Sequence, residues 1–406
     1  MNIPLKNFSF LAAGEGLSKA FGFVTTVYLA RILGAEGYGM VGFTAALTGY
    51  LALVANPGFE TVGTREIAKG ELSPLQIVSS IFFIRCGLSF FAFAVLALIV
   101  FLSHFSWILQ MMVIIQGCHL LLVPFMFQFF FRGTNDTAAV AYSRALQSGV
   151  YLGLVLGFVA SADDLLRIPA FFVVSTLAGL LPLNARILKE FPLSSFRIDR
   201  TAVRKIGTHT LRVGGAALLV QVYISFDTIM LGYLRTPQEV GIYAAVYKII
   251  TILTLVPPLI FQSWLPLLSR LPKNGGVDAE LRKYQSLLVI AGTPIFLIGY
   301  FLAEPVLILL FGPAYSVGVV PFRILLVTVT VIYYNVAIAN PLLAWGKEKE
   351  YLFIVGMGAA TNIVLNIILI PQFGMTGAAA ATLAAEAAVL GLSLYERTKR
   401  DRHSSL

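Results

Sequence analysis

Long runs of apolar residues constrain what this chain can fold into more than any other feature. One helix needs about twenty apolar residues to cross the hydrocarbon core of a bilayer. Of the 406 residues, 58% are hydrophobic and 12% are charged, whereas soluble domains carry about 25% charged residues. The windows that meet this length are 8–30, 38–58, 76–102, 105–130, 138–160, 166–188, 208–233, 241–263, 285–303, 317–341, 351–370 and 374–395. The sequence therefore predicts an all-α integral membrane protein with about 12 transmembrane helices.

The placement of Lys and Arg predicts which loops face the cytoplasm. Cytoplasmic loops of membrane proteins carry an excess of these residues. An even number of spans puts both termini on one side, and most of the 29 basic residues fall on that side. Only Arg31, Arg167 and Arg235 fall on the other. We therefore predict a multi-pass protein of the inner or plasma membrane with both termini in the cytoplasm.

A polar, basic stretch divides the chain into two similar halves. The predicted divisions are a six-helix bundle at 1–190, a cytoplasmic basic linker at 191–207, a second six-helix bundle at 208–396 and a basic tail at 397–406. Proline recurs at matching places, at Pro57 near the end of the second span and Pro257 near the end of the eighth. Parallel repeats with a site between them are common in transporters. We therefore predict two pseudo-repeat bundles around a central cavity.

Several short motifs occur in an order that resembles a known family. They are 31–39 (RILGAEGYG), 59–68 (FETVGTREIA), 227–232 (DTIMLG), 362–366 (NIVLN), 371–374 (PQFG) and 377–382 (GAAAAT). Together they resemble the polysaccharide transporter or O-antigen flippase family, within the superfamily of multidrug, oligosaccharidyl-lipid and polysaccharide exporters. The resemblance implies transfer of a polyprenyl-pyrophosphate-linked oligosaccharide from the cytoplasmic to the outer leaflet. It also implies the bilayer and a polysaccharide polymerisation or export machinery as partners, and no enzymatic activity.

Basic residues inside the predicted spans are the candidate substrate-binding residues. They are Lys19, Arg85, Arg144, Lys248 and Arg323. A charge at the bilayer centre costs about 2.5–3.5 kcal/mol on insertion scales, so it usually faces the bundle interior or a wet cavity. The pyrophosphate that the resemblance implies suits such cations, because Arg presents a fork of donors matched to phosphate oxygens. Alternatively, the long side chains reach the membrane interface, an explanation that is strongest for Arg323 and Lys248.

Two acidic residues inside the spans require partners. Glu15 precedes Lys19 by four residues on one helix face, in the order that favours an ion pair. The sequence leaves two outcomes open: Glu15 neutralises Lys19, or it leaves Lys19 free to meet a pyrophosphate. Asp227 lies deep in the seventh span, where Lys248 or a coupling ion, H⁺ or Na⁺, would balance its charge. We predict no other cofactor.

The sequence also excludes several classes of function. No phosphate-binding G-x-x-x-x-G-K-[ST] motif occurs, so transport would be driven by an ion gradient or by downhill substrate flow. The net charge of +9 follows from the topology, and without a basic domain outside the membrane we predict no nucleic-acid partner. No metal site is predicted from the scattered candidates His104, His119, His209, His403, Cys86 and Cys118. The open alternatives are a cation-coupled multidrug exporter, which would need an acid-lined cavity, and a glycan polymerase or ligase, which would need a larger outer loop.

Overall fold

The computed structural model describes the backbone of residues 3–269 and 279–404, and the side chains of 14–208, 210, 226–269 and 279–398. These residues form helices and no β-strand. The α-helices are α1 (Ile3–Ala55), α2 (Phe59–Lys69), α3 (Pro74–Leu102), α4 (Trp107–Gly117), α5 (Gln128–Gly133), α6 (Thr137–Phe158), α7 (Arg167–Glu190), α8 (Arg200–Leu234), α9 (Pro237–Leu253), α10 (Val256–Leu268), α11 (Ala279–Phe311), α12 (Val319–Ala344) and α13 (Glu348–Ser404). The predicted all-α class is confirmed.

Side chains at the loop ends explain where several helices begin. Ser73 accepts a hydrogen bond from the backbone N–H of Gln76, whose side chain caps the Ser73 N–H in return, so α3 starts with a capping box. The carboxylate of Asp136 accepts from the Ala139 N–H at the start of α6. Such caps satisfy backbone N–H groups that have no partner inside the helix.

The surfaces of the long helices are apolar to a degree that a soluble protein does not tolerate. Phe101 is 83% exposed and Phe301 is 77% exposed, and many Leu and Ile side chains are similar. Eight helical stretches within the described residues are long and apolar enough to cross a membrane. Lipid is the solvent that suits such surfaces, because exposed apolar patches of this extent aggregate in water. The molecule is thus a multi-pass membrane protein.

Two of these eight stretches are too long for one crossing, and a glycine interrupts each of them. The stretch Gly14–Lys69 has 56 residues and the stretch Glu348–Thr398 has 51, whereas one crossing needs about twenty. Gly34 has φ 67° and ψ −178° inside α1, and Gly374 has φ 55° and ψ −133° inside α13. Helices α6 and α8, also predicted as spans, are not among the eight. The predicted number of twelve crossings therefore stays a prediction.

The chain divides into two compact units, Met1–Val222 and Tyr223–Leu406, and the division falls within α8. In each unit, the region that joins the first two helical segments packs against the region that joins the last two. In the first unit, Gly37 lies against Leu165, in the loop before α7. In the second unit, the ion pair between Arg235 and Glu239 (Nε–Oε1 3.1 Å) lies against Gly374. The shared arrangement is what two parallel repeats would produce, and the predicted division into six-helix bundles stays a prediction.

The predicted linker 191–207 is partly helical, since its second half forms the start of α8. It is held against the turn between α2 and α3. Lys205 Nζ donates to Glu71 Oε2 at 2.6 Å, and this bond raises the lysine pKa. The Gln76 amide donates to Asp199 at 2.9 Å. The pKa of Asp199 is lowered, chiefly by the hydrogen bond from the Ala202 N–H and then by the one from Gln76. The bond between Gln76 and Asp199 is therefore lost only as the pH falls through that lowered value.

A buried cation ties the core of the first unit together. The Arg85 side chain is fully buried on α3, and its guanidinium donates to Glu60 Oε1 at 2.9 Å and Asn56 Oδ1 at 2.8 Å. It also donates to the backbone carbonyl of Met126. The rings of neighbouring phenylalanines, among them Phe129 at 5.4 Å from the guanidinium carbon, complete the surroundings. Arg85 thus connects α2 and α3 to the segment that precedes α5.

We expect Gly374→Ala to lower the melting temperature of the purified protein. An alanine would adopt a strained positive φ, at about 1–3 kcal/mol, and its Cβ would collide with the Glu239 carboxylate. Melting can be followed with a thiol-reactive dye that labels Cys86 and Cys118 on unfolding. Gly356→Ala is the matched control in the same helix, because nothing lies within 4 Å of its added Cβ. Equal melting of the two variants would contradict the expectation.

Arg85→Ala should destabilise the protein strongly, because it leaves Glu60 without its counter-charge. Removing one partner of a buried ion pair costs about 3–5 kcal/mol. The loss should appear as early melting and poor recovery of monodisperse protein. The double variant Arg85→Met with Glu60→Leu removes both charges and should recover much of that loss. Arg323→Ala, at a partly exposed cation of α12, should melt close to the wild type. If Arg85→Ala were equally mild, the structural role assigned to Arg85 would be wrong.

Candidate functional site

An open pocket of about 380 Å³ lies within the first unit, between α1, α6 and α7. Its size falls in the range of about 300–1,000 Å³ typical of small-molecule sites. The lining residues are Ser18, Gly22, Arg144, Gln147, Ser148, Tyr151, Phe172 and Ser175. Six of these eight residues carry a hydroxyl, amide or guanidinium group, although the helices that carry them belong to a largely apolar protein. A polar pocket in such surroundings is the strongest candidate for a binding site in the described part of this unit.

Small residues bring the three helices close enough to form this pocket. A Cβ added at Gly14 on α1 would lie 2.6 Å from the Cβ of Ala141 on α6, so the two backbones are in close contact there. On the other side of α6, a Cβ at Gly179 of α7 would lie 2.7 Å from the Cβ of Gln147. The Ser143 hydroxyl donates to the Gly179 carbonyl oxygen at 2.6 Å. Close approach at small residues is how transmembrane helices commonly associate.

The sequence leaves open whether Glu15 neutralises Lys19, and in the structure Glu15 pairs with Arg144 instead. Arg144 Nη1 lies 2.5 Å from Glu15 Oε1, and the two side chains are 33% and 43% exposed. The close contact of Gly14 with Ala141 explains this, since Arg144 follows Ala141 by three residues and thus lies opposite Glu15. Lys19 is exposed one turn further along α1 and forms no ion pair with any described side chain. The structure thus brings together two of the predicted site residues, Glu15 and Arg144.

The polar residues of α6 share one face of the helix. Positions 144, 147, 148 and 151 follow the i, i+3, i+4, i+7 spacing of a single helical face. The Gln147 amide donates to the Thr176 hydroxyl at 3.0 Å, and the Tyr151 ring packs edge-on against Phe172 with centroids 6.0 Å apart. The arrangement offers a guanidinium for an anion, with hydroxyl, amide and aromatic groups beside it for a polar molecule such as a sugar. Sequence reasoning missed this face, although its spacing was readable.

The remaining predicted cations lie elsewhere. Arg85 is in the core of the first unit. In the second unit, Arg323 on α12 donates to the Tyr300 carbonyl oxygen at 3.2 Å and stacks over the Tyr300 ring. Lys248 lies on α9 and is partly exposed. A substrate-binding role for Arg85, Lys248 and Arg323 stays a prediction.

The buried acid of the second unit has hydroxyl and amide donors. Asp227 on α8 is 3% exposed, and its carboxylate accepts from the Tyr243 hydroxyl and from the Thr228 N–H at 2.7 Å. Sequence reasoning did not name Tyr243 or Thr228 as partners of this acid. Nearby in the same unit, the Asn335 amide donates to the Glu386 carboxylate at 2.5 Å. Among the described residues, no three His, Cys, Asp or Glu side chains are grouped as metal ligands would be.

Comparisons with known proteins agree with this architecture. The chain is 26% identical to the probable flippase AglR of Haloferax volcanii over 92% of this chain and 79% of that protein. It is 24% identical to a putative O-antigen transporter of Escherichia coli strain K12 over 96% of this chain and 95% of that protein. These relatives are named as transporters and flippases, not as enzymes.

Solved structures share the fold at low sequence identity. The lipid II flippase MurJ in an inward closed conformation superposes with a TM-score of 0.77 at 14% identity, covering 97% of this chain and 90% of that one. An inward-facing multidrug resistance MATE transporter of the MOP superfamily gives 0.69 at 14% identity, covering 95% of each chain. At this identity the likeness establishes the fold alone.

A family model provides the assignment. The model described as "Polysaccharide biosynthesis protein" matches residues 4–272, about two thirds of the chain. This match, the full-length relatives and the shared fold all agree with the resemblance found in the motifs. The chain therefore belongs to the polysaccharide biosynthesis protein family of membrane transporters, as its motifs predicted.

Proposed function

We propose that this protein is a flippase that moves a polyprenyl-pyrophosphate-linked oligosaccharide from the cytoplasmic to the outer leaflet by alternating access. The observation that carries the proposal is the polar pocket of the first unit, where Arg144 lies beside hydroxyl, amide and aromatic side chains. A guanidinium suits a phosphate group and the other side chains suit a saccharide, so the pocket matches both parts of such a headgroup. The names of the full-length relatives support the same class of substrate.

The site residues divide between the two units under this proposal. Arg144 and Lys19 would attract the pyrophosphate in the first unit, and Lys248 and Arg323 remain the proposed cations of the second. The proposed topology places both termini in the cytoplasm, because the loops on that side are basic. The proposed substrate lies in the same plasma membrane. The polysaccharide polymerisation and export machinery would then take up the flipped product. The proposed energy source is an ion gradient, with Asp227 as the residue that responds to the coupling H⁺ or Na⁺.

Deleting the gene in a strain without a paralogue should make a lipid-linked oligosaccharide accumulate on the cytoplasmic leaflet. Arg144→Ala should reproduce this in part and slow translocation about tenfold or more, since a hydrogen bond to a charged group contributes about 1.5–3 kcal/mol. The measurement is the fraction of lipid-linked oligosaccharide that an impermeant reagent reaches from outside. Arg186→Ala is the matched control, because Arg186 pairs with Asp136 at 3.0 Å but does not line the pocket. Normal glycan export in the deletion strain would overturn the proposal.

Asp227→Asn should remove the dependence of translocation on an ion gradient while the protein still folds. The amide keeps the shape of the side chain and can accept from Tyr243, but it no longer changes charge when H⁺ or Na⁺ binds. Proteoliposomes with an imposed proton or sodium gradient would show the effect with a labelled lipid-linked oligosaccharide. Wild type should respond to one gradient and Asp227→Asn to neither. The control is Asp163→Asn, at an exposed acid of the loop before α7, which should respond like the wild type. A gradient response retained by Asp227→Asn would exclude this role.

A further inference from the structure

We propose that Glu15 is an internal competitor for the anion site, occupying the Arg144 guanidinium until the pyrophosphate of the substrate displaces it. This inference rests on the proposed function and names how its binding site is controlled. Its basis is the position of the Glu15–Arg144 pair, in contact with the polar pocket and not sealed in the core.

The exposure of the pair separates it from the structural ion pair of the same unit. The Arg85 guanidinium is fully buried and reaches three acceptors, Glu60, Asn56 and the Met126 carbonyl oxygen. Among the described residues Arg144 makes one ion pair, with Glu15 at 2.5 Å, and the two side chains are 33% and 43% exposed. A pair whose exposed side faces the water of an open pocket contributes little to stability, about 0–1 kcal/mol. A carboxylate held so weakly is one that an incoming anion can replace.

The chemistry of the two anions also makes them alternatives. A carboxylate and a phosphate both accept the parallel N–H donors of a guanidinium, but the phosphate carries more charge and more acceptor oxygens. Arg144 lines the pocket, whereas Glu15 approaches it from α1. A headgroup that enters the pocket therefore meets the guanidinium in competition with Glu15.

Lys19 gives the displaced carboxylate a second partner. It lies one turn from Glu15 on α1, in the order that favours an i, i+4 ion pair. In this structure Lys19 is exposed and forms no ion pair with a described side chain. When the headgroup binds Arg144, Glu15 can pair with Lys19. The pyrophosphate and the Glu15 carboxylate then each have a cation beside them in the membrane. The Glu15–Lys19 pair that the sequence spacing allows is then that of the substrate-bound state.

The test measures the affinity of purified protein in lipid nanodiscs for farnesyl pyrophosphate, a short polyprenyl pyrophosphate. Glu15→Gln should bind this probe about two- to fivefold more tightly than wild type, which corresponds to removing a competing pair of up to about 1 kcal/mol. Arg144→Ala should bind it about tenfold more weakly. The double variant Glu15→Gln with Arg144→Ala should bind like Arg144→Ala, because the gain requires the freed guanidinium. Farnesol and inorganic pyrophosphate as separate probes show whether the lipid or the anion carries the binding.

Two control variants isolate competition from general charge and from folding. Asp136→Asn removes an acid of the same unit whose side chain is also 43% exposed and which also pairs with an arginine, so it matches Glu15→Gln in charge, exposure and type of partner. It should leave the affinity unchanged. The double variant Glu15→Arg with Arg144→Glu keeps an ion pair but places the cation on α1. This variant should melt like wild type but bind the probe more weakly.

Different results would overturn the inference and the proposed function. If wild type translocates lipid-linked oligosaccharide in cells but Glu15→Gln binds the probe no more tightly, the competitor role is wrong and the flippase stands. An equal gain in Asp136→Asn, or a gain that persists without Arg144, would also refute competition at this guanidinium. If the deletion strain exports glycan normally, the flippase assignment fails and this inference falls with it.

Discussion

A charged side chain that is removed from water needs an opposite charge or polar partners around it. Two arginines meet this requirement in different ways. Arg85 is enclosed by a carboxylate, an amide oxygen, a backbone carbonyl and aromatic rings, and it fixes α2 and α3 to the following segment. Arg144 pairs with one carboxylate among the described side chains and has an open side. The same chemistry therefore gives a structural element in one place and a binding group in the other.

The pocket depends on helix contacts that carry no charge at all. Gly14 against Ala141 and Gly179 against Gln147 hold α1, α6 and α7 together, and these contacts bring the polar face of α6 next to α1. A larger side chain at Gly14 would separate α1 from α6 and move the guanidinium away from Glu15. Packing thus decides which charges meet, and the charges then decide what the pocket binds. This order of causes also explains why the charge pattern alone does not reveal the site.

Much of the fold could be predicted from the sequence, because runs of apolar residues have one stable outcome in a bilayer. The all-α class, the membrane location and the family followed from such runs and from motifs. The partners of the charged residues did not follow. Glu15 pairs with Arg144, which lies 129 residues further along the chain, whereas the sequence alone offered only the nearby Lys19 as its partner. Whether Arg85 faces a cavity or the core was equally unreadable, since burial depends on helices distant in sequence. The i, i+3, i+4, i+7 face of α6 was the one part of the site that periodicity could have found.

The chain order of the Arg85 partners bears on how the protein enters the membrane. Glu60 precedes Arg85 by 25 residues, whereas Met126 follows it by 41. Because synthesis runs from the N-terminus, the counter-charge is already present when α3 emerges, and the backbone acceptor arrives later. Alone, α3 would carry an unpaired cation into lipid, at about 2.5–3.5 kcal/mol on insertion scales. Together with the segment that carries Glu60 it enters nearly neutral, so the ion pair makes two neighbouring segments a single unit of insertion.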